Sequence, residues 1–362
     1  MDLLLDEAQT FLQQAVSGAV ERYAPFSTIR EWISAVDLAP ADRLAAAQGW
    51  NGIGLAEHLG GQGGAVLELA VVAEQLGRGA VPWDRLLGGY LATQLLAALA
   101  ERGRELAAAN ASGERAVVLC LDARTPDAAP AIRVDSGRVT GASPFVLGAT
   151  SAHVLVVATP AAHDEVELLA VERDAEGVAV TPRRLVDRTR SLADVRFDAS
   201  PGELLGRVPA AAWQQMIQTG IVLSCADSLG ASARLLEMTA AYVQERHQFG
   251  VAIGSFQAVK HSAAQMLVDV EGIRSSVQYS AWAVETAAED AALQASVAGA
   301  FCSQAAPDLA DRALFLHGAI GYTWEHNLQL PFKRIKSNAH LFGSADWHRD
   351  RISRALGCTP AP

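Results

Sequence analysis

The chain has 362 residues, half of them hydrophobic and 19% charged, a composition that suits one large unit or two to three packed domains and excludes wholesale disorder. Its 29 basic and 40 acidic residues give a net charge of −11, which argues against binding the phosphate backbone of nucleic acid. No apolar run is long enough to cross a membrane, and no secretory signal pattern opens the chain. The four cysteines lack metal or disulfide spacing, so a cytoplasmic protein with reduced thiols and no metal site is expected.

In chain order, Leu5, Phe11, Leu12 and Val16 recur at helical spacing and predict a first helix with a buried stripe. Trp50-Asn51-Gly52 and Gly60-Gly61-Gln62-Gly63-Gly64 interrupt the pattern. Further helices are predicted from about Ala65 to Leu76 and, after Pro82, from about Arg85 to Leu106. From about Gly113 the period changes. Short apolar runs appear at Arg115–Asp122, at Ala131–Val134 and Arg138–Thr140 around the turn Asp135-Ser136-Gly137, and at Val154–Ala158, Val166–Val171 and Val178–Thr181. Strands this short and this close predict an antiparallel barrel or sandwich, closed at Pro201-Gly202.

From about Val208 the chain reads as helical to its end, with Phe256, Val259, Met266, Val270, Ile273 and Val277 on one stripe. The expected architecture is α+β: an all-helical N-terminal domain over 1–112, a middle antiparallel β-barrel domain over 113–205, and a C-terminal four-helix bundle over 206–362. Part of the apolar surface of that bundle is expected to be covered by another subunit.

Three motifs carry a family resemblance. Arg246-His247-Gln248-Phe249-Gly250, continued to Gln257, is similar to the R-x-x-F-G-x-x-x-x-x-x-Q signature of the acyl-CoA dehydrogenases. Leu316-His317-Gly318-Ala319-Ile320-Gly321-Tyr322-Thr323 resembles that family's glycine-rich turn, and Gly52-Ile53-Gly54-Leu55 with Gly60–Gly64 resembles its N-terminal helical domain. The resemblance implies FAD, held across subunits. A guanidinium such as Arg246 suits a diphosphate, Phe249 offers an aromatic face, and glycines let backbone N–H groups approach phosphate. At i and i+3, Arg246 and Phe249 are expected to share a helix face. The FAD-binding residues implied are Arg246, Phe249, Gln257, His317, Gly318 and Gly321. They serve the adenosine and pyrophosphate half of an FAD shared with a neighbour.

The family's chemistry, removal of two hydrogens from adjacent carbons of an acyl-CoA, needs a carboxylate over the α-carbon. Neither family position for it carries one: Gly343 and Gly220 stand there. Asp346, Asp227 and Glu325 are the carboxylates near the relevant motifs that could take its place, with Asp346 the weak alternative. The flavin-ring loop T-E-P-x-x-G-S has no counterpart between Cys120 and Thr140, and Phe145-Val146-Leu147 replaces the W-I-T segment. Phe315 replaces a frequent Gln before the glycine-rich turn. A basic trio, Lys333, Arg334 and Lys336, reads as a solvated face.

This pattern resembles the degenerate partner subunit of the heteromeric α2β2 acyl-CoA dehydrogenases of actinobacterial steroid degradation. The partners implied are a paralogous catalytic subunit, an acyl-CoA in the complex, and electron-transfer flavoprotein as acceptor, with no nucleic acid and no membrane. The alternatives are a self-sufficient homotetramer with a relocated base and a flavin-free scaffold of the same fold.

Overall fold

The computed structural model describes residues 4–128 and 131–358; the ends of the first and last expected domains, 1–3 and 359–362, lie outside the described residues. The chain forms two compact units, one from 1–31, 70–81 and 221–362, the other from 32–69 and 82–220.

The second unit holds the β structure. Its helices include α3 (Ala39–Ala47), α5 (Asp84–Leu96) and α6 (Glu101–Ala111), and it carries eight strands. These are β1 (Val117–Leu119), β2 (Ala131–Asp135), β3 (Arg138–Leu147), β4 (Val154–Pro160), β5 (Glu165–Glu172), β6 (Val178–Pro182), β7 (Leu192–Pro201) and β8 (Glu203–Pro209). They make two four-stranded sheets, ordered β1-β4-β5-β8 and β2-β3-β7-β6. All strand pairs are antiparallel except β1 with β4, which is parallel. Side chains such as Val118, Val146, Leu155, Val171, Val195 and Phe197 form one core between the sheets.

Two expectations change here. The single helix read over Arg85–Leu106 is α5 and α6, because Ala100 turns extended before α6 starts. The β region does not close at Pro201-Gly202: Gly202 is the corner into β8, where its N–H donates to Gly137 O at 2.9 Å. A Cβ at Gly202 would come within 2.9 Å of Val139 Cγ2, so a larger residue at this corner would press on the buried Val139 side chain.

The first unit is helical. It contains α1 (Glu7–Tyr23), part of α4 (Val66–Arg78), most of α7 (Ala210–Glu245), α8 (Gln257–Glu285), α9 (Ala291–His317), α10 (Gln329–Asn338) and α11 (Ala345–Ala355). Asp6 and Gln9 form a reciprocal capping box at the start of α1. The buried stripe of α1 is Gln9, Val16, Ala19 and Val20, while Phe11 is 73% exposed, which corrects the phase read from sequence. On α8 the stripe Met266, Val270, Ile273 and Val277 is buried as read. The helices α4 and α7 cross closely on paired glycines. A Cβ on Gly77 would meet Asp227 O at 2.1 Å, and one on Gly230 would meet Glu74 O at 1.8 Å. Leu267 and Val268 of α8 and Val297 and Phe301 of α9 are exposed apolar side chains. No helix among the described residues is long and apolar enough to cross a membrane.

Candidate functional site

The first motif begins where α7 ends. The Arg246 N–H donates to Tyr242 O at 2.8 Å in the last turn of the helix. Beyond it, β9 (His247–Gln248) and β10 (Val251–Ala252) pair as a hairpin whose two-residue tip is Phe249-Gly250. Both tip residues have positive φ, +52° and +82°, the geometry of a right-twisting hairpin turn. Arg246 and Phe249 therefore do not share a helix face. Only Gly250 hints at a turn in the sequence, because a phenylalanine at the other tip position is no turn former. The hairpin folds back on α7, with Ile253 N–H donating to Arg246 O at 2.8 Å. Gln257 follows as the exposed first residue of α8.

Phe249 is 93% exposed and meets Phe256 edge-on at 6.2 Å between ring centroids. A bulky residue at positive φ is strained. Packing within this chain does not require it, since its ring is almost wholly in solvent. Arg246 is exposed and has no ion pair among the described residues.

The second motif begins where α9 ends. His317 is buried, and Gly318 follows at φ +64°, ψ −146°, a conformation reserved for glycine. The two motif glycines have different reasons to be there. Nothing lies within 4 Å of a Cβ built on Gly318, so its backbone fronts open space. A Cβ on Gly321 would come within 3.0 Å of Leu314 and 3.1 Å of Leu328, so that glycine sits in a tightly packed spot rather than facing open space.

Tyr242 joins the two motifs. Its ring stacks on His317 at 4.5 Å and 17°, and its hydroxyl donates to His317 O at 3.3 Å. His317 Nδ1 donates to Ala313 O at 2.8 Å in the neutral tautomer, and burial lowers its pKa. Its Nε2 is buried and without a partner among the described residues. His317 thus lies beneath the turn rather than on its surface, unlike the exposed Arg246, Phe249 and Gln257.

The candidate base positions offer no carboxylate with room to act. Gly343 has φ +108°, and a Cβ there would lie 2.2 Å from Trp347 Cε3, so a glutamate does not fit. Gly220 is buried on α7. Asp346 opens α11 in solvent and pairs with Arg349 at 2.8 Å. Asp227 is fully buried and bound to Arg334 at 3.0 Å and Asn338 at 3.1 Å. Glu325 is exposed. Arg334 corrects the solvated reading of the basic trio: it is 0% exposed, and its other guanidinium nitrogen donates to Val81 O at 2.9 Å.

Phe145, the first residue at the W-I-T position, sits at φ +53° in an irregularity of β3. The Arg124 and Arg183 guanidiniums lie 3.5 and 3.7 Å from its ring centroid. Two groups that close cannot share one face, so both faces are covered. Asp122 holds Arg124 at 3.2 Å and Asp194 holds Arg183 at 2.6 Å. Val146 and Leu147 are buried and apolar. This segment gives a flavin ring neither a hydroxyl nor a free aromatic face, and so does not fit it. The guanidinium of Arg246, the outward ring of Phe249 and the open backbone at Gly318 are chemically suited to the phosphate and adenosine end of a dinucleotide.

Residues 3–106 match the acyl-CoA dehydrogenase N-terminal domain, and residues 211–357 match the C-terminal domain. Acyl-CoA dehydrogenase IpdE2 of Mycolicibacterium smegmatis is 30% identical over 342 residues, covering 94% of this chain and 96% of its own. The chain belongs to the acyl-CoA dehydrogenase family. Among solved structures, the ChsE4-ChsE5 complex from Mycobacterium tuberculosis has a chain that superposes with a TM-score of 0.88 at 26% identity, with full coverage of both chains. A Tcur3481-Tcur3483 steroid ACAD variant superposes with a TM-score of 0.86 at 27% identity, covering 97% of this chain and 98% of that one. The family fold, N-terminal helices, middle β sheets and C-terminal helices, is the fold described above.

Proposed function

We propose that this chain is the non-catalytic subunit of a heteromeric, FAD-dependent acyl-CoA dehydrogenase, completing the FAD site of a paralogous subunit that carries the base. The observation that carries this reading is the backing of Gly343 onto Trp347, which leaves no room for a glutamate. The covered ring of Phe145 supports it, because it leaves the chain without a seat for its own flavin ring. Two of the similar solved structures are described as a two-protein complex and a two-protein steroid enzyme, which agrees with a heteromer.

In the complex, bound FAD supplies the acceptor for the β-hydride of the acyl thioester. Arg246 neutralises diphosphate charge with two parallel donors, and Phe249 covers an aromatic face. Gln257 and the Gly318 backbone add hydrogen bonds at that end, and buried Gly321 and His317 hold the turn in shape. The domain division 1–112, 113–205 and 206–362, a cytoplasmic site of action, an electron-transfer flavoprotein as acceptor, and coverage of Leu267, Val268, Val297 and Phe301 by another subunit all belong to this reading.

Turnover tests it. The purified chain should not oxidise acyl-CoA esters, and adding a paralogue that keeps the glutamate should restore turnover. Turnover by the chain alone would favour the homotetramer instead.

A further inference from the structure

A cavity of about 790 Å³ is lined only by residues of the second unit and shares none with the motifs above. We propose that it binds an organic carboxylate with an apolar body.

Its floor is prebuilt from ion pairs. The Arg190 and Asp84 side chains pair at 2.5 Å with at most 1% exposure, and Ser191 N–H donates to the second oxygen of Asp84 at 2.6 Å. Asp187 accepts from Thr189 N–H at 2.9 Å and from its hydroxyl at 2.5 Å, fixing the segment from β6 to β7. Arg85 pairs with Asp42 at 3.0 Å. Three carboxylates, Asp84, Asp187 and Asp42, face two guanidiniums, Arg190 and Arg85, so the floor shapes the cavity and offers no spare cation to a ligand. Its size is that of a small-molecule site.

The walls are apolar: Ile33, Trp83 and Leu192 are buried and Leu185 half-buried. At the mouth, Val36 is 82% exposed and held at φ +55°, a conformation that β-branched side chains avoid. Strain that presents an apolar side chain to solvent at a cavity mouth suits a ligand that covers it.

The charge at the mouth sets the head group. Arg183 is committed to Asp194 and the Phe145 ring. Arg188 spends one nitrogen on Ile33 O at 2.7 Å and has no carboxylate partner among the described residues. Arg184 is exposed and has no ion pair among them either. Asp37, also on the lining, accepts from Ala39 N–H at 2.9 Å. One guanidinium without an ion pair and one half-used, both on the cavity lining, match a single carboxylate better than a polyphosphate, which needs several.

The experiment is calorimetric titration of the full chain with 2-naphthoate, and with 2-naphthol as neutral control. The proposal expects one naphthoate site per chain. Arg184→Glu should weaken naphthoate by about tenfold or more while leaving naphthol unchanged, the size of a lost charged hydrogen bond. Ala39→Trp, which fills the cavity from α3, should abolish both, with thermal melts checking that each variant folds. No saturable naphthoate binding by the wild-type chain, or equal affinity in folded Arg184→Glu, would overturn the proposal.

Discussion

Arg334 of α10 donates to the carboxylate of Asp227 on α7 at 3.0 Å, across 107 residues of sequence, with both side chains fully buried. Asn338 takes the second carboxylate oxygen at 3.1 Å and also meets Ser228 at 3.0 Å. Removing one partner of such a pair strands the other charge in low dielectric, whereas the intact pair adds little net stability. Arg334→Met is therefore expected to destabilise the chain by about 3–5 kcal/mol, read as a shift in the urea midpoint. An unchanged midpoint would mean that the pair is dispensable.

The Gly343–Trp347 contact makes a second prediction. Gly343→Glu should lower the melting temperature, because both its φ of +108° and the 2.2 Å approach to the indole oppose a side chain. The cost should be on the order of 2–4 kcal/mol, as for other overpacked and strained sites. Reinstating the carboxylate should not create a dehydrogenase. A stable Gly343→Glu protein that turns over acyl-CoA alone would show that only the missing base separates this chain from an enzyme.

How much of this was legible in the sequence depends on what each feature rests on. The helix of Met266, Val270, Ile273 and Val277 and the turn at Ser136-Gly137 are local patterns, and local patterns survive folding. The strand β7, absent from the runs read in the sequence, nonetheless carries a local signal: Asp194, Arg196 and Asp198 alternate with its core residues, Val195 and Phe197, the period of a half-buried strand. The burial of Arg334 had no local signal, since its partners lie on α7 and at Val81. Of the site, residue types were legible but exposure was not: Arg246 and Phe249 are outward, His317 is beneath the turn, and Phe145 is already occupied by two arginines.

Burial gives a pH prediction. His348 is 2% exposed, packs against Gly299, and is pushed down to about 4 by burial and by the nearby Arg351 charge. The folded state thus prefers the neutral ring. Its contribution is complete above the ordinary value of 6.5 and is lost as pH falls through the interval down to about 4. The loss should be roughly 2–4 kcal/mol by linkage. His317 and His326 are lowered by burial as well and act with the same sign. Denaturation between these pH values should show the wild-type decline and a shallower one in His348→Phe; equal slopes would remove His348 from the account.

The hairpin tip separates stability from assembly. Phe249→Gly should leave the stability of the isolated chain within about 0.5 kcal/mol, because the ring is exposed and glycine suits φ +52°. Arg246→Ala should behave alike. In the reconstituted complex, Arg246→Ala should weaken flavin retention by about tenfold or more. Unchanged flavin retention in both variants would detach the first motif from the cofactor.

The measurement that bears most directly on the central claim is the flavin-to-chain ratio, from visible absorbance and quantitative protein analysis. It should be made on this chain purified alone and on its complex with the paralogous subunit. The account predicts no stoichiometric flavin on the chain alone and one FAD per pair of unlike chains in the complex. Full flavin occupancy of the isolated chain, or one FAD per chain in the complex, would contradict it.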